Sequence, residues 1–514
     1  MTRRVLRSTL VAVGLVLVVG CAGNSTRGPA VPNLSTTTSV ARTPDRAEPA
    51  STEALGHVGR WITDPNGSVV MLHGVNMVAK RPPYEPSADG FSQDDADFLA
   101  ANGFNVVRLG VIFKGVEPVA GRYDERYLDE IAQTVETLGR DGIRSLLDFH
   151  QDGYNEVFGG EGFPDWAVPP QDRGPFASRA ARDKAMYQTI DSFWTNAPRS
   201  DDIDVQTEYA SAVARVASRF ATNSYVLGYD LINEPMPGYR WPQCSDTPVD
   251  CSGFDKNDLG AFEQRLITAI RRVDPQHLIW YEPNTLFDWG LPTQLPKFAD
   301  TRLGMAFHDY CPPVPTCERQ AQLSAAVQRS EATKDAIMLT EFGSLPSDAA
   351  GVTDAADAAL MSWSVWAYCG CGDPTGSTPP EVEGLVRDPT RAPVGDNVDQ
   401  SKLQVLARPY PRLIAGTPQL VRFDQTTRSF AFEYTTARAD GTGTFGKDAC
   451  TQIVVPQVQY PGGYKVEASG ARVVSNVGAG VLSVQATGAT SQISIRITAT
   501  EGAATRPVTR TSAC

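Results

Sequence analysis

The sequence predicts an α/β protein, a TIM-type (β/α)8 barrel followed by a small C-terminal all-β sandwich. Three observations carry this. Eight short apolar runs recur through the middle of the chain, with amphipathic helical patterns between them. Polar residues able to do chemistry stand at the C-terminal end of one run after another. After about Tyr410 the texture changes to short β-branched runs separated by Gly, Pro and Asn. Near-continuous apolar character marks a strand covered on both faces, and strands alternating with helices make a parallel sheet. Eight such units close into a barrel. An open doubly wound sheet is the competing arrangement, but no Gly-x-Gly-x-x-Gly turn follows an early strand.

In chain order, residues 1–20 read as an export signal. Arg3, Arg4 and Arg7 precede an apolar stretch from Leu10 to Val19. That stretch is shorter than the ~20 residues a membrane-spanning helix needs. It ends Val18-Val19-Gly20-Cys21, which resembles a bacterial lipobox. On that reading Cys21 is lipidated and the exported protein is a lipoprotein held on the outer side of the cell membrane by this anchor alone. An ordinary secretory signal is the alternative. Residues 21–54 are rich in Ser, Thr, Pro and Ala and predict an unfolded tether.

The barrel is expected over 55–410. Its strand runs are Val69 to Val75, Val106 to Ile112, Arg144 to Phe149, Val226 to Ile232, Leu278 to Tyr281, Leu303 to Phe307, Ala336 to Leu339 and Ser362 to Ala367. Helical patterns span Ser92 to Asn102, Arg126 to Gly142, Thr207 to Ala221 and Asn257 to Val273. Residues 411–514 form the β-domain, with strand runs such as Gln452 to Val458 and Ile493 to Thr498.

Composition narrows the partners. The net charge of −13 argues against nucleic acid, whose phosphates need a basic face, and suits a neutral ligand such as a sugar. Five histidines make a histidine-rich metal centre an unattractive reading. Apart from Cys21, eight cysteines remain, an even number that in an exported protein suggests disulfides. Cys244 with Cys251 and Cys311 with Cys317 are close enough to close small loops, and Cys450 with Cys514 would staple the C-terminal region. Cys369 and Cys371 are harder, because a bond between them would be strained and either could pair elsewhere.

The chemistry is suggested by two carboxylates. Glu234 follows Leu231-Ile232-Asn233 and precedes Pro235; Glu341 follows Ile337 to Thr340 and precedes Phe342-Gly343. They fall at the ends of the fourth and seventh strand runs, on the rim where barrel active sites lie. Retaining cleavage of a glycosidic bond needs such a pair about 5–5.5 Å apart, one attacking the anomeric carbon and the other serving as acid and then base. Glu282, in Tyr-Glu-Pro-Asn, is a third candidate, favoured for a supporting role. A serine hydrolase is disfavoured because no Gly-x-Ser-x-Gly elbow occurs. A solute-binding lipoprotein would be acidic and exported too, but would not need both glutamates.

Asn233-Glu234-Pro235 and Leu339-Thr340-Glu341-Phe342-Gly343 resemble the two catalytic motifs of glycoside hydrolase family 5, and Arg108, His150, His308, Tyr310 and Trp366 fall in the family's order. Within it the chain is most similar to endoglycoceramidases and actinobacterial endogalactosylceramidase-like enzymes. The matching segments are His73-Gly74-Val75-Asn76, Ala79-Lys80, Asp148 to Asp152, Tyr229 to Pro235 and Arg408 to Pro411. The resemblance implies a retaining hydrolase that releases intact glycan from ceramide, with no metal or other cofactor, acting as a monomer on a glycolipid or oligosaccharide. It makes Glu234 the acid/base and Glu341 the nucleophile. Asn233 would bond the sugar 2-hydroxyl, Arg108 and Tyr310 would hold Glu341 charged and aimed, and Trp366 would form an apolar floor. His150 and His308 would bond sugar hydroxyls or the carboxylates, and Lys80, Asp148 and Asp152 would contact the glycan, with support of the barrel the other reading for Asp148. A β-glucosidase or endo-β-glucanase of the same family is the alternative. Residues 151–172, with Tyr154, Phe158, Phe163 and Trp166, are open to two readings, a lid exposing apolar surface to a lipid or a self-packed loop. Trp241, Phe287 and Trp289 are further wall candidates.

Overall fold

The computed structural model describes residues 54–196, 203–244, 249–310, 319–343, 346–375 and 380–500. The predicted signal peptide, Cys21 and all but the last residue of the tether lie outside these, as do Cys311, Cys317 and Cys514.

The eight runs form a closed barrel. Its strands are β1 (His73–Met77), β2 (Val106–Ile112), β3 (Arg144–His150), β4 (Val226–Asp230), β5 (Leu278–Tyr281), β6 (Leu303–Asp309), β7 (Ala336–Phe342) and β8 (Ser362–Val365). Each pairs in parallel with its sequence neighbours, and β8 closes on β1. All eight are buried along their whole length, the burial that near-continuous apolar runs require. The predicted helices appear as Gln93–Ala101, Glu125–Arg140, Val205–Phe220 and Gly260–Arg271, the last entered through a π-turn, Asp255–Leu259. Asp124 and Asp204 cap two of them by accepting the N–H of the third residue on.

Two features depart from the simple repeat. No α-helix connects β5 to β6; Pro283, Pro292 and Pro296 deny that segment the N–H groups and backbone freedom a helix needs. The first run is also divided. His73–Met77 is the barrel strand, whereas Val69–Val70 joins a seven-stranded sheet with Gly56–Val58, Trp61–Thr63 and the C-terminal strand Tyr410–Ile414. Val69 and Met71 therefore pack in the sandwich core, and Val75 and Met77 in the barrel core. Chain from the start of the expected barrel segment thus builds part of the second domain.

That domain is a sandwich of the seven-stranded sheet and a four-stranded sheet, Thr417–Asp424, Ser429–Thr435, Gln492–Ala499 and Tyr464–Ser469. Strand Ser429–Thr435 alternates half-exposed and buried residues, with Phe430, Phe432 and Tyr434 inward, as a sheet with one covered face must. Leu55 and Ile62, from the N-terminal hairpin, pack with Val106, Leu146, Leu278, Trp280 and Ala336 near the N-terminal ends of the barrel strands. The barrel is plugged at that end, so its chemistry is left to the other.

Candidate active site

Arg108 on β2 is the hub of the C-terminal mouth, and it is 0% exposed. Its Nε donates to Asp230 Oδ2 at 2.9 Å, Nη1 to Glu341 Oε1 at 2.5 Å and to Asn76 Oδ1 at 3.2 Å. Nη2 donates to Glu282 Oε1 at 2.8 Å and Asn233 Oδ1 at 3.0 Å, and lies 3.0 Å from Asp148 Oδ1. Burial opposes the charge, but the four carboxylates outweigh it and hold the guanidinium well above its ordinary range.

Around this hub the two glutamates are positioned differently. Glu341 lies near the end of β7, where a register shift between Leu339 and Glu341 sets it beside His308. Its Oε1 accepts from Arg108, and its Oε2 accepts the Tyr310 hydroxyl at 2.8 Å. Burial raises its pKa, and the charges of His308 and Arg108 pull against that rise. Glu234 stands four residues beyond β4 with φ of 44°, a left-handed conformation that costs a side-chain-bearing residue about 1–3 kcal/mol and is typical of functional sites. Glu282 Oε2 accepts its N–H at 2.8 Å, and the Gln151 amide donates to the Asn233 carbonyl at 2.8 Å, so the turn is clamped from two sides. Glu234 keeps 27% side-chain exposure, against 5% for Glu341.

His308 joins the two. Its Nδ1 is 2.9 Å from Glu234 Oε1 and 3.7 Å from Glu341 Oε2, which caps the separation of those oxygens at the sum, about 6.6 Å. Its Nε2 is 3.4 Å from Glu282 Oε1. Burial disfavours the imidazolium, but Glu341 and Glu282, with the bond to Glu234, raise its pKa well above the usual histidine value.

A second cluster lines the other side. Asp148, which faces Arg108, accepts from His150 Nδ1 at 2.7 Å. His150 Nε2 is 3.5 Å from Asp152, which also pairs with Lys80. Lys80 lies 3.3 Å from Asp373 and 3.9 Å from Glu161, with its Nζ 4.4 Å from the Trp366 ring centre. Trp366 stacks on His150 with centroids 5.4 Å apart and donates its indole N–H to Glu383. Burial works against charge on His150, yet Asp148 and Asp152 push its pKa up to about 10.

Every predicted protein-side site residue thus falls into two joined networks at one mouth: Arg108, Asn233, Glu234, His308, Tyr310 and Glu341 in the first, and Lys80, Asp148, His150, Asp152 and Trp366 in the second. The sequence reading missed Asp230, Glu161, Asp288, Asp373 and Glu383. Asp230, directly before Leu231-Ile232-Asn233-Glu234, carried a positional signal; the others sit in connecting segments with none, Asp288 and Glu383 in short helical turns. Residues 151–172 are self-packed rather than an apolar lid: Tyr154, Phe158 and Phe163 are buried, Tyr154 stacks on Phe163 at 4.0 Å, and Trp166 donates to the Glu117 carbonyl at 3.0 Å. Phe287 is core and Trp241 is half-buried, whereas Trp289 is 53% exposed. Cys244 pairs with Cys251 as expected. Cys369, whose partner the sequence left open, pairs with Cys371 at a turn with left-handed Cys371 and Gly372, their Cα atoms 5.1 Å apart. Cys450 is disulfide-bonded as well.

A plugged barrel whose open mouth holds two glutamates, beyond β4 and on β7, with one imidazole between them defines an O-glycosyl hydrolase. The chain belongs to glycosyl hydrolase family 5. Residues 63–372 match the family model described as cellulase (glycosyl hydrolase family 5), and residues 408–497 match the family's C-terminal domain. The chain is 32% identical to endoglycoceramidase I of Rhodococcus hoagii (strain 103S), over 84% of this chain and 85% of that one. It is 29% identical to an endoglycoceramidase of Cyanea nozakii, over 73% and 79% of the respective chains. Among solved structures, endo-glycoceramidase II from Rhodococcus sp. superposes with a TM-score of 0.68 at 26% identity, covering 86% of this chain and 99% of that one.

Proposed function

We propose that the protein is a retaining endoglycoceramidase-like hydrolase, cleaving the β-glycosidic bond between a glycan and ceramide or a similar lipid. The observation that carries this is the shared imidazole, which keeps Glu234 and Glu341 oxygens within about 6.6 Å. That bound admits the ~5–5.5 Å of retaining enzymes and reaches only the lower edge of the ~6.5–9.5 Å that an inverting enzyme needs for its water.

The steps follow from the contacts. Glu341, acceptor-only when ionised, is oriented by Arg108 and Tyr310 and attacks the anomeric carbon. Glu234, the more exposed carboxyl, gives its proton to the departing oxygen, and the lipid leaves as the alcohol. Water then attacks the same carbon, Glu234 takes its proton, and the bond to Glu341 breaks. Asn233, whose Oδ1 accepts from Arg108 and whose side-chain amide donates to the Gln151 carbonyl at 3.0 Å, meets the sugar 2-hydroxyl. Trp366 floors the cleavage point, with Lys80, His150 and Asp152 holding glycan hydroxyls and buried Asp148 supporting Arg108 and His150 from behind. The chain is further inferred to be exported, anchored through lipidated Cys21 on residues 21–54, and monomeric.

The test incubates the protein with glycosphingolipids, aryl β-glycosides and cellulose and reads products by mass. Intact glycan plus ceramide supports the proposal; free glucose alone favours a β-glucosidase of the same family. Glu341→Gln abolishes turnover, and Glu234→Gln lowers it on glycolipid by about 10²–10⁴-fold. Unchanged turnover in either variant overturns the assignment.

A further inference from the structure

Asp288 is buried, 4% exposed, in the short helical turn Phe287–Trp289 of the segment between β5 and β6. A carboxylate oxygen of Asp288, one of Glu234 and a ring nitrogen of His308 all lie within 4.8 Å of one another. Asp288 Oδ2 accepts the Thr285 hydroxyl at 3.3 Å, and its backbone carbonyl accepts the N–H of Tyr310 at 3.2 Å. Thr285 in turn donates its N–H to the carbonyl of Pro235, next to Glu234. The charged groups facing Asp288 are His308, Glu234, Glu282 and Glu341. Arg108 bonds Glu282 and Glu341, while His308 faces Asp288 and already touches Glu234 and Glu282.

We propose that Asp288 is a positioning residue for acid catalysis, its carboxyl forming with Glu234 a coupled pair that keeps a proton at the leaving-group side of the mouth. Two carboxyls this close repel as anions, which favours a state in which one proton is shared between them. Burial first, then the neighbouring carboxylates, raises Asp288 well above the ordinary range, with His308 opposing. No atom of Asp288 bonds to the substrate. It acts by limiting the charge that develops beside Glu234 when the proton passes to the leaving oxygen.

This rests on Glu234 being the acid, and the experiment separates the two claims. The full chain and its variants are assayed across pH on a glycosphingolipid and on the dinitrophenyl β-glycoside of the same glycan, whose leaving group needs no proton. For Asp288→Asn, the basic limb of kcat/KM on glycosphingolipid moves down by about one pH unit or more, while the dinitrophenyl substrate changes less than about twofold. Thr285→Val, which removes a bond favouring charged Asp288, moves that limb upward. A limb that stays in place in Asp288→Asn, or an equal fall on both substrates, overturns the role of Asp288; so does a Thr285→Val limb that stays or falls. Glu234→Gln losing kcat/KM equally on both substrates sinks the parent assignment instead, since the later base step does not enter that ratio.

Discussion

Arg108 shows how much one residue can organise. Its guanidinium meets Asp148, Asp230, Glu282 and Glu341 without access to water, a geometry that a lysine's single ammonium cannot reproduce. Removing it would leave buried carboxylates uncompensated. Arg108→Met is therefore expected to destabilise the fold by about 3–5 kcal/mol, read by denaturant unfolding. His150 supplies a pH signature. Its folded pKa, about 10, lies above the unfolded 6.5, so its contribution to stability is complete below 6.5 and is lost as pH rises through 10. The melting temperature should fall over that window, and His150→Gln should flatten the fall; a slope unaltered by the substitution would contradict the pairing with Asp148 and Asp152.

At the scale of elements, the barrel strands are interlocked by size. Trp280 on β5 is fully buried, and Gly304 on β6 leaves the room its ring occupies. A Cβ at Gly304 would come 2.3 Å from Trp280 Cε3. Gly304→Ala is expected to cost about 1–3 kcal/mol in a urea melt, and a loss near zero would mean the strands can shift to accept the methyl. The segment between β5 and β6 is shaped by what it lacks. With prolines excluding a helix, it is held by polar bonds to Asp255, which accepts from Asn284 at 2.5 Å and from the Gln294 N–H at 2.5 Å. This packs Phe287 inward and brings Asp288 toward the mouth.

For the whole molecule, barrel and sandwich fall within one compact unit. The seven-stranded sheet takes three strands from residues 56–70 and four from 410–486, and the hairpin that supplies two of the former also supplies Ile62 to the barrel plug. A chain ending at Pro409 would strip Val69 and Met71 of their core partners. The truncated protein is expected not to fold, and the full chain to melt in a single transition. A soluble, active truncation would show that the sandwich is dispensable.

The sequence by itself determined the eight strands and the polar residues, Glu234 and Glu341 among them, that follow their ends, because a doubly covered strand writes its burial as an unbroken apolar run and its end as a sudden polar residue. It could not show that Val69–Val70 leaves the barrel, since both halves of that run are equally apolar and only pairing partners tell them apart. Nor could it show that residues 151–172 pack on themselves, or that Glu161, Asp288, Asp373 and Glu383 enter the mouth. Loop carboxylates have no periodicity, and their neighbours are remote in the chain. The tertiary structure decided those, because closing the barrel is what brings distant loops to one rim and sets their charges against buried Lys80, His150 and His308.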